Sequence, residues 1–209
     1  MRRFFFTTIF FLFTVLTHGQ QATKTVIIDG QRFTAHHDQW DFWIIKSKKD
    51  TVVRLEPSFM DFKFSDFNKD GYKDLMLDLG GNIPDNYRLL LYVPKQQTFR
   101  EVKGFDDLPL PLKIAGTKYF YSYSRAGCAD ETWVSYLFYV KNYKAVKIGY
   151  INGEGCGIND GIFIYRLLGD KKKLIKRLPL HTIGDYKDYK WGFLKQYWTK
   201  NYQRFLKQD

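Results

Sequence analysis

Short segments in which apolar and polar residues alternate follow one another along most of the chain, and turn-forming residues separate them. Alternation with a period of two is typical of strands that bury one face. No helical segments alternate with these strands, which excludes parallel βαβ units. We therefore expect an all-β fold of antiparallel hairpins in a propeller-like or sandwich arrangement. The predicted hairpins cover residues 26–34, 42–55, 59–79, 87–102, 131–151 and 161–178, with a further strand at 118–122.

The C-terminal segment has a different period. Between Tyr186 and Lys207, apolar residues recur at steps of three and four, which is helical spacing. We predict a C-terminal helix that packs its aromatic stripe on the sheet, although Gly192 weakens the pattern. The stripe consists of Trp191, Leu194, Trp198, Tyr202 and Phe205.

The N-terminal residues are typical of a secretory signal peptide. Two arginines, Arg2 and Arg3, precede an apolar run over residues 4–16, and this run is shorter than the about 20 residues that span a bilayer. We predict a signal peptide over residues 1–19, cleaved near Gly19–Gln20, and a single β-rich domain over residues 20–209. An uncleaved anchor is the alternative. No later stretch is apolar enough to cross a membrane, so we expect a periplasmic or secreted protein.

The chain is basic. It has 33 lysines and arginines against 22 acidic residues, a formal charge of +11, and loss of Arg2 and Arg3 leaves +9. Nucleic-acid-binding proteins have this composition, but export argues against that partner. The basic surface is either simply solvated or attracts an acidic partner. The densest run of charge is Lys171–Lys173.

The two cysteines are placed symmetrically about a predicted hairpin turn. Cys128 and Cys156 lie at equal distances from residue 142, inside the predicted turn over 141–144. Opposed residues of a hairpin have this symmetry, and exported proteins keep disulfides. We predict a Cys128–Cys156 disulfide that closes a loop of about 29 residues and contributes roughly 3 kcal/mol. Free buried thiols are the alternative.

Residues 66–74 have the spacing of a calcium-binding loop. Side-chain oxygens stand at positions 1, 3, 5 and 9, and a glycine stands at position 6. Ca²⁺ binds six to eight oxygens, and alternate residues of a short loop supply them. Position 12 is Leu77 rather than the glutamate of a helix–loop–helix site, and the flanks alternate like strands. We predict a Ca²⁺ site in a loop between strands, and a polar turn without metal is the alternative. The predicted ligands are Asp66, Asn68, Asp70, Tyr72 through its carbonyl, and Asp74.

No catalytic motif accompanies these features. The chain has no nucleophile elbow, no zinc-protease motif and no phosphate-binding glycine loop. His36 and His37 alternate in direction along a strand, which suits joint metal binding poorly. We therefore predict no enzymatic activity and no catalytic residues. If exposed, Trp40, Trp43 and Tyr123 are candidates for stacking on sugar rings.

The calcium loop, followed at once by Leu75-Met76-Leu77, resembles those of FG-GAP and VCBS-type β-propeller repeats. The order of elements downstream, with residues 87–92, Phe99, Leu108, the segment 121–128 and a Trp/Tyr-rich strand, is similar to a family of small exported propeller-like proteins. Some of these serve xanthomonads as periplasmic immunity proteins against lysozyme-like effectors of type IV secretion. The resemblance covers residues 59–151.

This resemblance implies a calcium-stabilised protein that binds a protein partner, such as a lysozyme-like peptidoglycan hydrolase, and inhibits it. Inhibition would come from a loop that occludes the partner's cleft, and our candidate loops are residues 122–130 and 152–160. The partner-binding residues are otherwise unknown. The alternatives are a glycan-binding module that uses exposed aromatic residues, and an uncharacterised hydrolase.

Overall fold

The computed structural model of the chain describes residues 21–47 and 50–206. The predicted signal peptide lies outside these residues. The described part consists of three antiparallel β-sheets and a C-terminal helix.

The first two sheets are four-stranded meanders, in which each strand pairs with its neighbours in sequence. The tight turn at Asp29-Gly30 has positive φ at both residues, 50° and 71°, which the predicted Asp-Gly turn requires. The first sheet contains β1 (Ala22–Ile28), β2 (Gln31–His37), β3 (Phe42–Lys46) and β4 (Asp50–Leu55). The second contains β5 (Asp61–Ser65), β6 (Asp74–Asp78), β7 (Tyr87–Val93) and β8 (Thr98–Glu101).

The third sheet is larger, with the strand order β15-β14-β13-β12-β10-β9 and with β11 also paired to β12. The hairpin of β12 and β13 forms its centre, and β15 is an edge strand. Its members are β9 (Leu112–Lys113), β10 (Tyr119–Tyr121), β11 (Ser124–Gly127), β12 (Thr132–Lys141), β13 (Lys144–Glu154), β14 (Gly161–Leu168) and β15 (Lys171–Leu178).

The sheets stack in layers, because alternate residues of the second sheet face different cores. Leu75 and Leu77 of β6 pack against the first sheet, whereas Met76 between them packs towards the third. In β7, likewise, Leu90 packs against the first sheet and Leu89 packs towards the third. This is the period of two expected of strands buried on both faces.

The helix α1 (Tyr189–Asn201) covers the other face of the third sheet. A short 3₁₀ helix over Leu180–Asp185 precedes it, and another over Tyr202–Phe205 follows it. Gly192 is required in the first turn, because a Cβ there would lie 1.8 Å from the carbonyl oxygen of Lys187. Trp198 and Phe205 are buried as predicted, but Trp191 is 40 % exposed.

The structure confirms an all-β fold of antiparallel hairpins with a C-terminal helix. The finer propeller-like arrangement stays a prediction. No helix in residues 21–47 and 50–206 is long and apolar enough to cross a membrane.

Candidate functional site

The predicted disulfide is present and joins two segments at one end of the third sheet. Cys128 and Cys156 are bonded, with their Cα atoms 6.3 Å apart. Cys128 begins a 3₁₀ turn between β11 and β12, and Cys156 lies in the connection from β13 to β14. The bond therefore holds the two candidate loops together, as the symmetry of the cysteines predicted.

Both candidate loops are shorter than the sequence suggested. Residues 124–127 form β11, paired to β12, so the irregular part of the first segment is limited to Ser122, Tyr123 and the turn Cys128–Asp130. In the second segment, β13 continues to Glu154, which accepts a hydrogen bond of 3.0 Å from the Thr132 hydroxyl. The free connection is therefore residues 155–160, which we call the tip loop.

The turn before β12 has a strained backbone. Cys128, Ala129 and Asp130 have φ values of 49°, 51° and 78°, a region that residues other than glycine, asparagine and aspartate seldom adopt, so the strain falls on Cys128 and Ala129. Such conformations persist where the surroundings impose them. Here the disulfide fixes one end of the turn, and the contacts of Asp130 fix the other.

Asp130 is the centre of a polar cluster. The Tyr123 hydroxyl and the Lys190 ammonium both donate to its carboxylate, and the Arg125 guanidinium lies 3.8 Å away. Burial would raise the pKa of Asp130, but the hydrogen bonds from Lys190 and Tyr123 outweigh it, and the pKa lies below its usual value. Burial and the bond to Asp130 raise the pKa of Tyr123, which keeps its proton as donor.

The start of this segment is anchored to the helix by a buried chain of hydrogen bonds. The indole of Trp198 donates to Ser135 Oγ at 2.8 Å, and Ser135 Oγ donates to the carbonyl of Ser122 at 2.6 Å. Both serines are buried. Residues 122–130 are thus held at both ends, and this suits a rigid binding surface better than a mobile one.

The tip loop carries a fully exposed aliphatic residue. Ile158 has a relative accessibility of 104 %, and each residue from Cys156 to Asp160 is exposed. The disulfide at Cys156 fixes the start of the loop, and the Arg177 guanidinium donates to the carbonyl of Asp160 at 3.2 Å. An apolar side chain therefore projects into solvent from a loop that is tied at both ends.

An open cavity of about 760 Å³ adjoins the end of the tip loop. Its lining residues include one aspartate, Asp160, and one histidine, His181, while Tyr189 is exposed beside them. Two carboxylates flanking a sugar are the usual requirement for glycoside hydrolysis. One carboxylate and one imidazole do not meet that requirement, and the absence of catalysis stays a prediction.

The predicted calcium loop forms the connection between β5 and β6, between strands as expected. Asp66 Oδ1 and Asn68 Oδ1 both accept a hydrogen bond from the amide of Asp70, each at 3.1 Å. Asp70 Oδ1 accepts from the amide of Tyr72 at 2.9 Å. Gly71 has φ of 94°, which explains the glycine at that position. The oxygens of Asp66, Asn68 and Asp70 are thereby gathered around one short stretch of backbone.

Asp74 differs from the other predicted ligands in its burial. It is fully buried, and it accepts hydrogen bonds of 3.0 Å from the amides of Phe67 and Tyr92. It therefore ties the loop to β7. Burial raises the pKa of Asp74 to about 6. A bound cation would favour its ionised form, since a nearby positive charge lowers the pKa of a carboxyl group.

The loop fits a hard cation through mixed donors. Within residues 21–47 and 50–206, no three His, Cys, Asp or Glu side chains form a group able to hold a metal ion. Ca²⁺ would therefore need the amide oxygen of Asn68 and the carbonyl of Tyr72 beside the carboxylates, a donor combination that Ca²⁺ accepts. The calcium site stays a prediction.

The three aromatic residues proposed for sugar stacking are not brought together as an exposed row. Trp40 is 79 % exposed, on the turn between β2 and β3. Trp43 is half-buried and stacks on His36 at 5.1 Å between ring centroids. Tyr123 is buried, with Trp191 at 4.0 Å between ring centroids.

Sequence reasoning missed the part that α1 plays in this site. Lys190 and Trp191 contact Asp130 and Tyr123, whereas Trp191 was expected in the core stripe. Helical spacing identifies the buried face of a helix but not which loop meets its first turn. No sequence signal linked Lys190 to Asp130.

The comparisons with known proteins give one structural likeness. No protein family matches the chain, and no curated protein matches it either. A solved structure described as that of a Xanthomonas type IV secretion system related protein is similar, with a TM-score of 0.52 and 16 % identity. The match covers 76 % of this chain and 98 % of that one. At this identity the likeness shows a shared fold.

Proposed function

We propose that the mature protein is an exported, non-catalytic protein that inhibits a peptidoglycan hydrolase by inserting the tip loop into its cleft. The observation that carries this proposal is Ile158, a fully exposed aliphatic side chain on a loop fixed by the Cys128–Cys156 disulfide.

The energetics favour Ile158 as an anchor. Burying an isoleucine side chain in a partner's pocket contributes about 1.5–3 kcal/mol. A single exposed apolar residue is ordinary on a protein surface. Ile158, however, lies on a loop held at both ends, so little conformational entropy is lost when it binds.

The neighbouring turn extends the same surface. Cys128 to Asp130 stay in a strained conformation, held by the disulfide and by Lys190. Strain of this kind concentrates at binding and catalytic sites. The turn and the tip loop together form a contact surface that needs no rearrangement on binding.

The description of the structural neighbour and the resemblance of the calcium loop together support a secreted, lysozyme-like hydrolase as the partner. Its description relates it to a type IV secretion system, and the calcium-loop sequence resembles a family that contains immunity proteins against secreted lysozyme-like effectors. The charge of +9 on the predicted mature chain would speed encounter with an acidic partner, so association should slow as salt rises.

Calcium would act on the scaffold. The predicted ligands are Asp66, Asn68, Asp70, the carbonyl of Tyr72 and Asp74, in the connection between β5 and β6. A bound ion would neutralise the three carboxylates and stabilise the second sheet. The tip loop lies on the third sheet, so the metal serves stability and takes no direct part in binding.

The proposal is tested by adding the purified mature protein to a panel of peptidoglycan hydrolases and measuring the rate of cell-wall clearing. We expect inhibition of a cognate hydrolase. We expect Ile158→Ser to weaken this inhibition at least about tenfold, which corresponds to a loss of about 1.4 kcal/mol of binding free energy. The melting temperature should not change. Ile27→Ser is the matched control, because Ile27 is a 65 % exposed isoleucine on the first sheet.

Two results would contradict the proposal. Hydrolysis of peptidoglycan by the purified protein alone would refute the non-catalytic function. Failure to inhibit any hydrolase in a broad panel, together with binding to isolated glycan, would favour the glycan-binding alternative.

A further inference from the structure

The edge strand β15 is strongly basic and exposed. Each residue from Lys171 to Arg177 is exposed, including Leu174 at 51 % and Ile175 at 37 %. The strand pairs with β14 on one side, and no strand within residues 21–47 and 50–206 pairs with its other edge. Five of its eight residues are cations, and none is acidic: Lys171, Lys172, Lys173, Lys176 and Arg177.

The cations occupy both faces of the strand. Lys176 is opposite the buried Ile164 and shares its helix-covered face, and Lys173 is opposite Arg166, which bonds to the carbonyl of Arg204 on that side. Arg177 is opposite Phe163 and lies on the other face, as does Lys172. The free backbone edge therefore runs between two rows of positive charge.

These charges are not neutralised within the described residues. None of the five cations forms an ion pair there. Lys172 lies over the rings of Tyr165 and Tyr150, at 5.2 and 5.8 Å from their centroids, and Arg177 lies 5.0 Å from that of Phe163. These ring contacts position the side chains and leave their charge available.

The backbone edge distinguishes between anionic partners. The strand offers unpaired N–H and C=O groups along about 26 Å. Another extended polypeptide can pair with these groups and continue the hydrogen-bond ladder of the sheet, whereas a polysaccharide has no such backbone. A second copy of this strand is excluded, because like charges opposite one another are destabilising. An acidic strand would meet opposite charges on both faces.

We propose that the free edge of β15 binds an extended acidic segment of a protein partner, which adds a strand to the third sheet. The Arg177 contact with Asp160 places the end of this edge beside the tip loop, so one partner can reach both surfaces. The proposal does not rest on hydrolase inhibition, since its test contains no hydrolase.

The probe is a blocked peptide of about ten residues in which pairs of glutamates alternate with pairs of valines, so that both faces of the added strand carry negative charge, and it is long enough to span β15. Calorimetry of the mature protein at low salt should detect binding that weakens as salt rises. Hydrogen exchange should show added protection at the amides of residues 171–178. The same peptide with alternate backbone nitrogens methylated keeps its charge, and we expect it to bind at least about tenfold more weakly.

The protein variants separate this edge from general basic charge. Lys171→Glu with Lys173→Glu should weaken binding at least about tenfold, because like charges would then face the peptide. Lys95→Glu with Lys200→Glu makes the same change in net charge at exposed sites elsewhere and should leave the added protection at β15 unchanged. Equal binding of the methylated peptide, equal loss in both variants, or no binding at low salt would each overturn the proposal.

Discussion

Lys190 and Asp130, sixty residues apart in sequence, form a close contact between α1 and the strained turn before β12. Lys190 Nζ lies 2.9 Å from the carbonyl oxygen of Asp130 and 2.5 Å from its carboxylate. The two side chains are 16 % and 21 % exposed. The contact makes the conformation of the turn depend on the docking of the helix.

Replacing Lys190 by methionine should loosen the turn. The substitution keeps the apolar stem and leaves the partly buried Asp130 without its nearest cation, which should lower the free energy of unfolding by about 1–3 kcal/mol. Urea denaturation would measure the loss. Lys187→Met is the matched control, because Lys187 is exposed just before the helix, and it should change stability little. Equal effects of the two substitutions would contradict a specific role for Lys190.

The same cluster should make stability depend on acid pH. The pKa of Asp130 is lower in the folded protein than its usual value, so its contribution to stability is present above the unfolded pKa of about 3.9. That contribution should be lost as the pH falls through the folded pKa. Thermal unfolding from pH 6 to pH 2.5 should show a loss below about pH 4 that Asp130→Asn reduces. A parallel pH profile for the variant would exclude Asp130 as its source.

The hairpins of this fold could be predicted because their signal is local. Alternation and turn residues identified the pair of β7 and β8 and the pair of β14 and β15 close to their observed bounds. The disulfide followed from the symmetry of one hairpin. The short strands β9 and β11 could not be predicted, since two to four residues carry no periodic pattern.

The stacking of the sheets also could not be predicted from the sequence. The continuous apolar run Leu75-Met76-Leu77 is typical of a strand buried on both faces, but it does not say which sheet covers each face. The site depended on similar long-range contacts. The positions of the two cysteines predicted that the turn before β12 and the tip loop lie together. The exposure of Ile158 and the role of Lys190, by contrast, follow from packing that no local pattern encodes.

Two substitutions in the predicted calcium loop should affect stability in different ways. Asp70→Ala should abolish a calcium-dependent rise in melting temperature and change the calcium-free protein little, because Asp70 is exposed. Asp74→Ala should destabilise the protein even without calcium. It leaves the amides of Phe67 and Tyr92 unpaired, and each unpaired group costs about 1–3 kcal/mol. If calorimetry detects no heat when calcium is added to the wild type, the prediction of a metal site is wrong.

Removing the disulfide should affect stability and binding together. Cys128→Ala with Cys156→Ala opens a loop whose ends are separated by 28 positions, and we expect a loss of about 3 kcal/mol. The tip loop would also lose its fixed start, so inhibition should weaken further than stability alone explains. Assays well below the melting temperature of the variant would separate the two effects. Unchanged inhibition by a folded variant would show that the loop needs no covalent restraint.

Gly153 should tolerate no side chain, because Trp133 lies directly across it. A Cβ at Gly153 would be 2.1 Å from the Trp133 ring, and Trp133 is 1 % exposed and packs on Phe193 of α1. Gly153→Ala should therefore push the indole towards the helix and lower stability by about 1–3 kcal/mol. Gly184→Ala is the matched control, since a Cβ there meets nothing within 4 Å. Thermal unfolding followed by near-ultraviolet circular dichroism would report both stability and the packing of Trp133. If Gly153→Ala left both unchanged, the close packing of α1 on the third sheet would be wrong.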